Sequence, residues 1–168
     1  MLDPDDEACL RLRLLESCDT KWEDGWGRSL ASVRLTWLLA DPFWYAVDSS
    51  SHTETLAGDG TFTVDTGTLA TWWMAPTITI EAPTGESVPS VSLVNETDDG
   101  IGLVYSDPGL EDGADATIDC GAGTVTRAGS STIRYLSGRP LRLLPGTNVL
   151  AYEGAACTLT ITWTERWI

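Results

Sequence analysis

The feature that most constrains this chain is a period of two. Val33, Leu35, Trp37 and Leu39 fall on one side of a run whose other side carries Arg34, Thr36 and Leu38. Phe62 and Val64 alternate in the same way, as do Ile78 and Ile80, Val91 and Leu93, and Ile101, Leu103 and Tyr105. Ile118 with Cys120, Val125, Ile133 with Tyr135, Val149–Glu153 and finally Leu159, Ile161 and Trp163 continue it. In an extended backbone successive side chains point to opposite faces, so each run has one apolar face to bury. The runs recur about every eight to twelve residues with Gly, Pro, Asn and Asp between them, the pattern of an antiparallel sandwich or jelly roll. The expected fold is therefore mainly β, an antiparallel β-sandwich. At 168 residues it is one domain, or one domain with a small appendage.

The start of the chain reads differently. Asp3 suits an N-cap, Pro4 a first helical position, and Asp5, Asp6 and Glu7 the positive end of a helix dipole. Cys9, Leu10, Leu12, Leu14 and Leu15 supply apolar positions, although leucine at every second place blurs the helical period. The reading is a helix to about Ser17, a turn or hairpin over Asp19–Gly27, then one strand. Asp41-Pro42 marks the boundary, giving residues 1–40 as a short helix–hairpin–strand segment and 41–168 as the sandwich.

Charge excludes several function classes. The net charge is −15, yet residues 35–126 hold 15 acids and no Lys or Arg, while the flanks balance ten acids with ten bases. A segment like that repels phosphate and anionic lipid, whose binding depends on neutralising cations. No specific nucleic-acid recognition and no membrane insertion are expected. The first residues have neither the basic start nor the apolar stretch of a signal peptide.

Chemistry is sparse. The one histidine, His52, lies among serines with no nucleophile elbow in the chain, so it reads as a solvated loop residue. Gly121-Ala122-Gly123 stands between two strands rather than opening a helix, and reads as a hairpin turn rather than a phosphate loop. Asp107, Glu111, Asp112 and Asp115, and separately Asp98 and Asp99, crowd two turns; calcium takes oxygen ligands from such loops, but solvated acids explain them equally. A glycosidase needs only a carboxylate pair, and no pair stands out. The reading is no catalytic residue, no cofactor and no metal. The cysteines lack a C-x-x-C pair and read as free thiols, with a Cys120–Cys157 bridge left open. Asn95-Glu96-Thr97 reads as a chance sequon. Of adjacent Trp72 and Trp73, a strand would bury one and expose the other for a sugar ring or an interface.

Two stretches carry a resemblance. Leu141–Leu150, with Pro145-Gly146-Thr147-Asn148, runs into Leu159-Thr160-Ile161-Thr162-Trp163-Thr164-Glu165-Arg166-Trp167. This ending resembles that of tailed-phage distal tail proteins and their minor-tail relatives. Val33–Leu39 followed by Ala40-Asp41-Pro42-Phe43-Trp44 is similar to the segment joining the two domains in that family, and Ala75–Ile80 looks like the first strand of its galectin-like C-terminal domain. The resemblance covers about residues 28–168.

It implies a galectin-like sandwich in a structural tail component of the virion, assembled in the host cytoplasm. The family forms a ring, typically of six copies, at the distal end of the tail tube, and contacts the tube protein, the tape measure and tip or hub proteins. The N-terminal part is shorter here than the family's usual ring-forming domain. The alternative is a carbohydrate-binding module, for which a surface Trp would be the platform. Two further expectations follow from pattern and charge. Thr158–Trp163 should lie beside Val33–Leu39 in one sheet, since both alternate with a Trp on the apolar face. Arg127, Arg134, Arg139 and Arg142 should meet acids of a neighbouring copy, unless they pair within the chain. With Trp72 and Trp73 they are the candidate interface or glycan-contact residues.

Overall fold

A computed structural model describes residues 43–168 throughout and, before them, the backbones of three strands: β1 (Ala8–Leu10), β2 (Arg13–Gly25) and β3 (Arg28–Leu38). The chain continues through β4 (Trp44–Ala46), β5 (Ser50–Leu56), β6 (Gly60–Asp65), β7 (Thr77–Glu81), β8 (Val91–Asn95) and β9 (Ile101–Tyr105). Then come β10 (Asp115–Asp119), β11 (Thr124–Arg127), β12 (Ser130–Ser131), one 3₁₀ turn (Ile133–Tyr135) and β13 (Leu136–Gly138). The last strands are β14 (Thr147–Gly154), β15 (Cys157–Trp163) and β16 (Arg166–Trp167).

Two sheets make the sandwich. One runs β12-β11-β10-β7-β15-β5 and the other β13-β9-β8-β14-β6, every pairing antiparallel. Alternation decides which side chains meet between them. Ile78, Ile80, Ile118, Val125, Leu159 and Ile161 face in from the first sheet; Val64, Leu93, Leu103, Tyr105, Leu150 and Tyr152 face in from the second, all essentially buried. Burying side chains of this size contributes about 1.5–3 kcal/mol each relative to exposure, and this interface is the main source of stability. The opposite face of the first sheet is mostly hydroxyl. Thr53, Thr160, Thr79, Thr117, Thr126 and Ser131 lie in one row across all six strands. Thr is a strong β former and suits a wetted pleat.

The turn between β8 and β9 holds Asp99 and Gly100, residue types of the kind that separate the alternating runs in the sequence. Asp99 and Gly100 both have positive φ, 51° and 69°, the backbone a tight hairpin demands. The mainly β antiparallel sandwich is as expected.

The beginning of the chain is not. Asp3–Glu7, the expected helix cap and first turn, lie outside the described residues. Where the helix was to continue, the backbone is strand, β1 and then β2. Leu10, Leu12 and Leu14 alternate, and that period of two prevailed over the charge signals in front of it. The hairpin runs longer than expected, β2 pairing with β3 from Arg13↔Leu38 to Gly25↔Arg28 with an irregularity between Leu14 and Cys18. The pairing of Thr158–Trp163 with Val33–Leu39 is also overturned: β15 lies between β7 and β5, and β3 pairs with β2. The pattern identified the buried face of each strand but could not choose its neighbour. Ile133 and Tyr135, read as strand, form the 3₁₀ turn.

A small third sheet, β1-β4-β16, ties the closing residues to the beginning of the chain. In it Trp44 is opposite Trp167 and Tyr45 opposite Arg166, while Ala8–Leu10 pair with Ala46–Trp44.

Candidate functional site

The β4–β16 pairing sets two of the motifs quoted above side by side, and the loop before β7 packs against them. Arg166 is at the centre. Its Nε donates to the carbonyl of Trp73, and its guanidinium carbon lies 4.2 Å from the centroid of the Trp73 ring and 4.6 Å from that of Phe43. Arg142 lies 5.5 Å from the Trp73 centroid. Phe43 in turn meets Trp72, with ring centroids 5.7 Å apart and planes tilted by 39°. The result is a column in which Trp73 contacts two guanidinium groups and Arg166 contacts two rings. Cation–π contacts of this kind contribute about 0.5–2 kcal/mol each, more as the charge is desolvated. Backbone bonds hold the loop in place: Thr71 N–H donates to the carbonyl of Arg166 at 3.2 Å, and Ile168 N–H to the Thr71 hydroxyl at 3.1 Å.

Trp72 and Trp73 are therefore not on a strand. They lie in the loop from Thr66 to Pro76, which Gly67 turns with a φ of 74°. Trp72 is 40% exposed and Trp73 half-buried. Phe43, Arg166 and the column itself were missed. Their signal was present only as the motif ends Phe43-Trp44 and Arg166-Trp167, which gave no reason for the residues to meet.

The four other arginines divide. Arg142 makes a two-pronged ion pair with the buried Asp98, Nε to Oδ2 at 2.8 Å and Nη2 to Oδ1 at 3.0 Å. Arg127 Nε donates to Asp107 Oδ2 at 2.8 Å. Both are engaged within the chain. Arg134 is exposed and covers the neighbouring Tyr135 ring at 4.6 Å. Arg139 is exposed and lines a cavity of about 430 Å3 with Trp73, Cys120, Leu141 and Arg142.

Asp107 organises the corner where Arg127 sits. It is almost fully buried and also accepts the Tyr105 hydroxyl at 2.8 Å and the Gly109 N–H at 2.9 Å, while Tyr105 meets Thr132 at 2.9 Å. Burial alone would raise the carboxyl's pKa, but the Gly109 N–H, the Tyr105 hydroxyl and Arg127 outweigh it and hold the group below its ordinary value. Burial pushes Tyr105 up to about 12.

Asn148 explains the turn motif. Its side chain accepts the Leu144 N–H at 2.8 Å and donates to the carbonyls of Leu144 at 2.8 Å and Gly146 at 3.1 Å. It also accepts from Asn95, whose amide nitrogen donates to the Arg142 carbonyl as well. The sequon asparagine is thus fully buried with its amide nitrogen engaged.

His52 is on strand β5 rather than in a loop. Its ring stacks on Phe62, 5.9 Å away and nearly parallel, and Nε2 is 3.3 Å from Glu54. Cys120 and Cys157 are free and buried, and burial pushes the Cys120 thiol up to about 11. Two of the calcium candidates, Asp98 and Asp107, are taken by Arg142 and Arg127. Among the described residues no three Asp, Glu, His or Cys side chains converge as a metal site.

A family model described as siphovirus-type tail component, C-terminal domain, matches residues 66–167. Among solved structures the chain is similar to the Dit (gp 19.1) protein of SPP1, presented as a paradigm of the hub adsorption apparatus in phages infecting Gram-positive bacteria. The TM-score is 0.66 at 16% identity, over 99% of this chain and 62% of that one, and the likeness is one of fold. This chain thus spans less than two thirds of that protein's length. No curated protein matches the sequence.

Proposed function

The chain belongs to the siphovirus-type tail component family, and on that premise we propose that it forms a ring at the distal end of a tail tube and links the tube to tip or receptor-binding proteins. The observation that carries the ring is the β2–β3 pair. It is a two-stranded sheet of 13 and 11 residues, and among the described residues neither outer edge has a partner. An isolated two-stranded sheet is marginal in water, and open edges are templates for another chain. Head-to-tail pairing of the β2 edge of one copy with the β3 edge of the next closes into a ring if the rotation permits.

In this reading residues 1–40 form the ring element and residues 41–168 a galectin-like sandwich on its outside. The neighbours are further copies, about six in all as the resemblance to distal tail proteins implies, the tube protein, the tape measure and hub proteins. The virion tail is the site of action, after assembly in the host cytoplasm, and the role is structural rather than enzymatic. The surplus acids of the chain's middle, which lies in the sandwich, then face solvent or neighbouring copies and repel the phosphate backbone of DNA rather than trap it. Exposed Arg134 and Arg139 are, among the described residues, two bases available for charge contacts between copies. The glycan alternative rests on Trp72, whose ring is already engaged by Phe43.

Antibody labelling of assembled tails in the electron microscope tests the reading. Label confined to the end away from the capsid supports it. Label along the tube, or none on purified tails, contradicts it.

A further inference from the structure

Two buried N–H donors near the β4–β16 junction have no acceptor among the described residues: Trp163 Nε1 and Arg166 Nη2. Trp163 is 5% exposed. Both residues line one open cavity of about 770 Å3, together with Tyr45, Ser49, Thr77 and Asp119. Buried donors are bonded in nearly all native structures, so two covered donors on residues of one lining point to a group from outside that they meet when the side chains turn toward the cavity. Arg166 narrows its chemistry. Its guanidinium rests on Trp73 and Phe43, its Nε is spent on a backbone carbonyl, and among the described residues no carboxylate pairs with it. Arg166 is half-buried with one nitrogen fully covered, and an incoming carboxylate would both accept from it and neutralise it. Asp119, the acid in the lining, is turned to its own hairpin, where one oxygen accepts the N–H groups of Gly121 and Ala122 at 2.9 and 2.8 Å.

We infer that this cavity receives an exposed Asp or Glu side chain of a second copy of the chain. Charge favours that occupant: residues 35–126 carry 15 acids without one base, so each copy offers its neighbours far more carboxylates than it can pair. The inference rests on the reading of the chain as a ring subunit, and adds to it a residue-level contact. Arg166, rather than the arginines after Thr126 that pair internally, is then the cation that joins copies.

The test uses the full chain and Trp163→Phe, which deletes the Nε1–H together with part of a buried ring. Self-association is measured by sedimentation and native mass spectrometry, folding by thermal melting of dilute protein. The expected result is a chain that still folds, with a melting point somewhat below the parent's from the ring atoms lost in the core, and association weakened about tenfold, the scale of one lost hydrogen bond to a charged acceptor. Exposed acids are then neutralised singly, as in Glu86→Gln, Glu96→Gln, Glu111→Gln and Asp115→Asn, extending to the remaining exposed acids. One of them should weaken association to a similar degree and add nothing in combination with Trp163→Phe. If the parent forms rings and Trp163→Phe forms them equally well, ordered water alone satisfies the donors and the inference fails while the ring reading stands. If Trp163→Phe weakens association but no acid couples to it, the carboxylate is wrong. If Asp41→Asn alone couples, and lowers the melting point of dilute protein, the acceptor belongs to the same chain and the inference is overturned. A parent that stays monomeric removes the ring reading, and this contact with it.

Discussion

Arg127 and Arg166 are held in opposite ways. At the corner below the β9 strand, Arg127 meets a carboxylate that is itself bonded to a tyrosine hydroxyl and a backbone N–H. At the β4–β16 junction, Arg166 lies against two aromatic rings and keeps one buried nitrogen without an acceptor among the described residues. The first site is complete within the chain. It can hold the fold together, with the Asp107 carboxylate fully engaged inside the chain. Among the described residues, the second is stabilised by stacking and a single carbonyl, which positions the charge without neutralising it. The lesson is that an arginine's sequence neighbourhood does not tell which kind of site it makes; the carboxylate or its absence does.

Breaking the complete site should have the largest effect. Asp107→Asn removes the charge partner of Arg127 and is expected to cost about 3 kcal/mol, read from chemical denaturation. The pH dependence has a definite sign. A carboxyl held below its ordinary pKa contributes stability that is fully present above the unfolded value and is lost as pH falls through the folded one. The parent should therefore lose its advantage over Asp107→Asn as pH drops below about 4, the unfolded carboxylate range. A constant difference between the two down to pH 2 would remove Asp107 from the account.

Asn148→Ala should come next, at about 2 kcal/mol, because it strips the partners from Leu144 N–H and from the buried Asn95 amide together. Thermal melting checks it; a shift no larger than that of an exposed Thr→Ala control would contradict it. Trp73→Leu should cost about 1–2 kcal/mol by removing the ring between two guanidinium groups. It sharpens the comparison further if Arg166→Lys in the same background adds little, since the two act through one contact. Trp163→Phe in the dilute chain should cost about 1 kcal/mol, since the deleted N–H has no partner among the described residues and the loss is that of packing by part of the buried ring alone.

How far the sequence spoke depends on the range of the interaction. The sandwich strands were legible because Ile78 and Ile80, or Leu159 and Ile161, carry their own signal of period two. The Asp99-Gly100 turn was legible for the same local reason. The first strands were misread where two local signals disagreed, leucines at every second place behind a helix-like acidic cap. The neighbour of β15 was not legible, because alternation names a face and not a partner. The junction was beyond reach altogether. Phe43, Trp73, Arg142 and Arg166 are far apart in the chain, and no spacing rule links a ring at one position to a guanidinium more than a hundred residues on. Equally, nothing near Arg127 in sequence announced that Asp107 would fold against it.

The most direct measurement of the central claim, that this chain closes into a ring through edges and charges left open in the single copy, is the mass of the purified chain across a range of concentrations and salt. The account predicts a closed assembly of about six copies, with no larger open series and with weaker association at high salt. A stable monomer at every concentration, or an unlimited ladder of sizes, would contradict it.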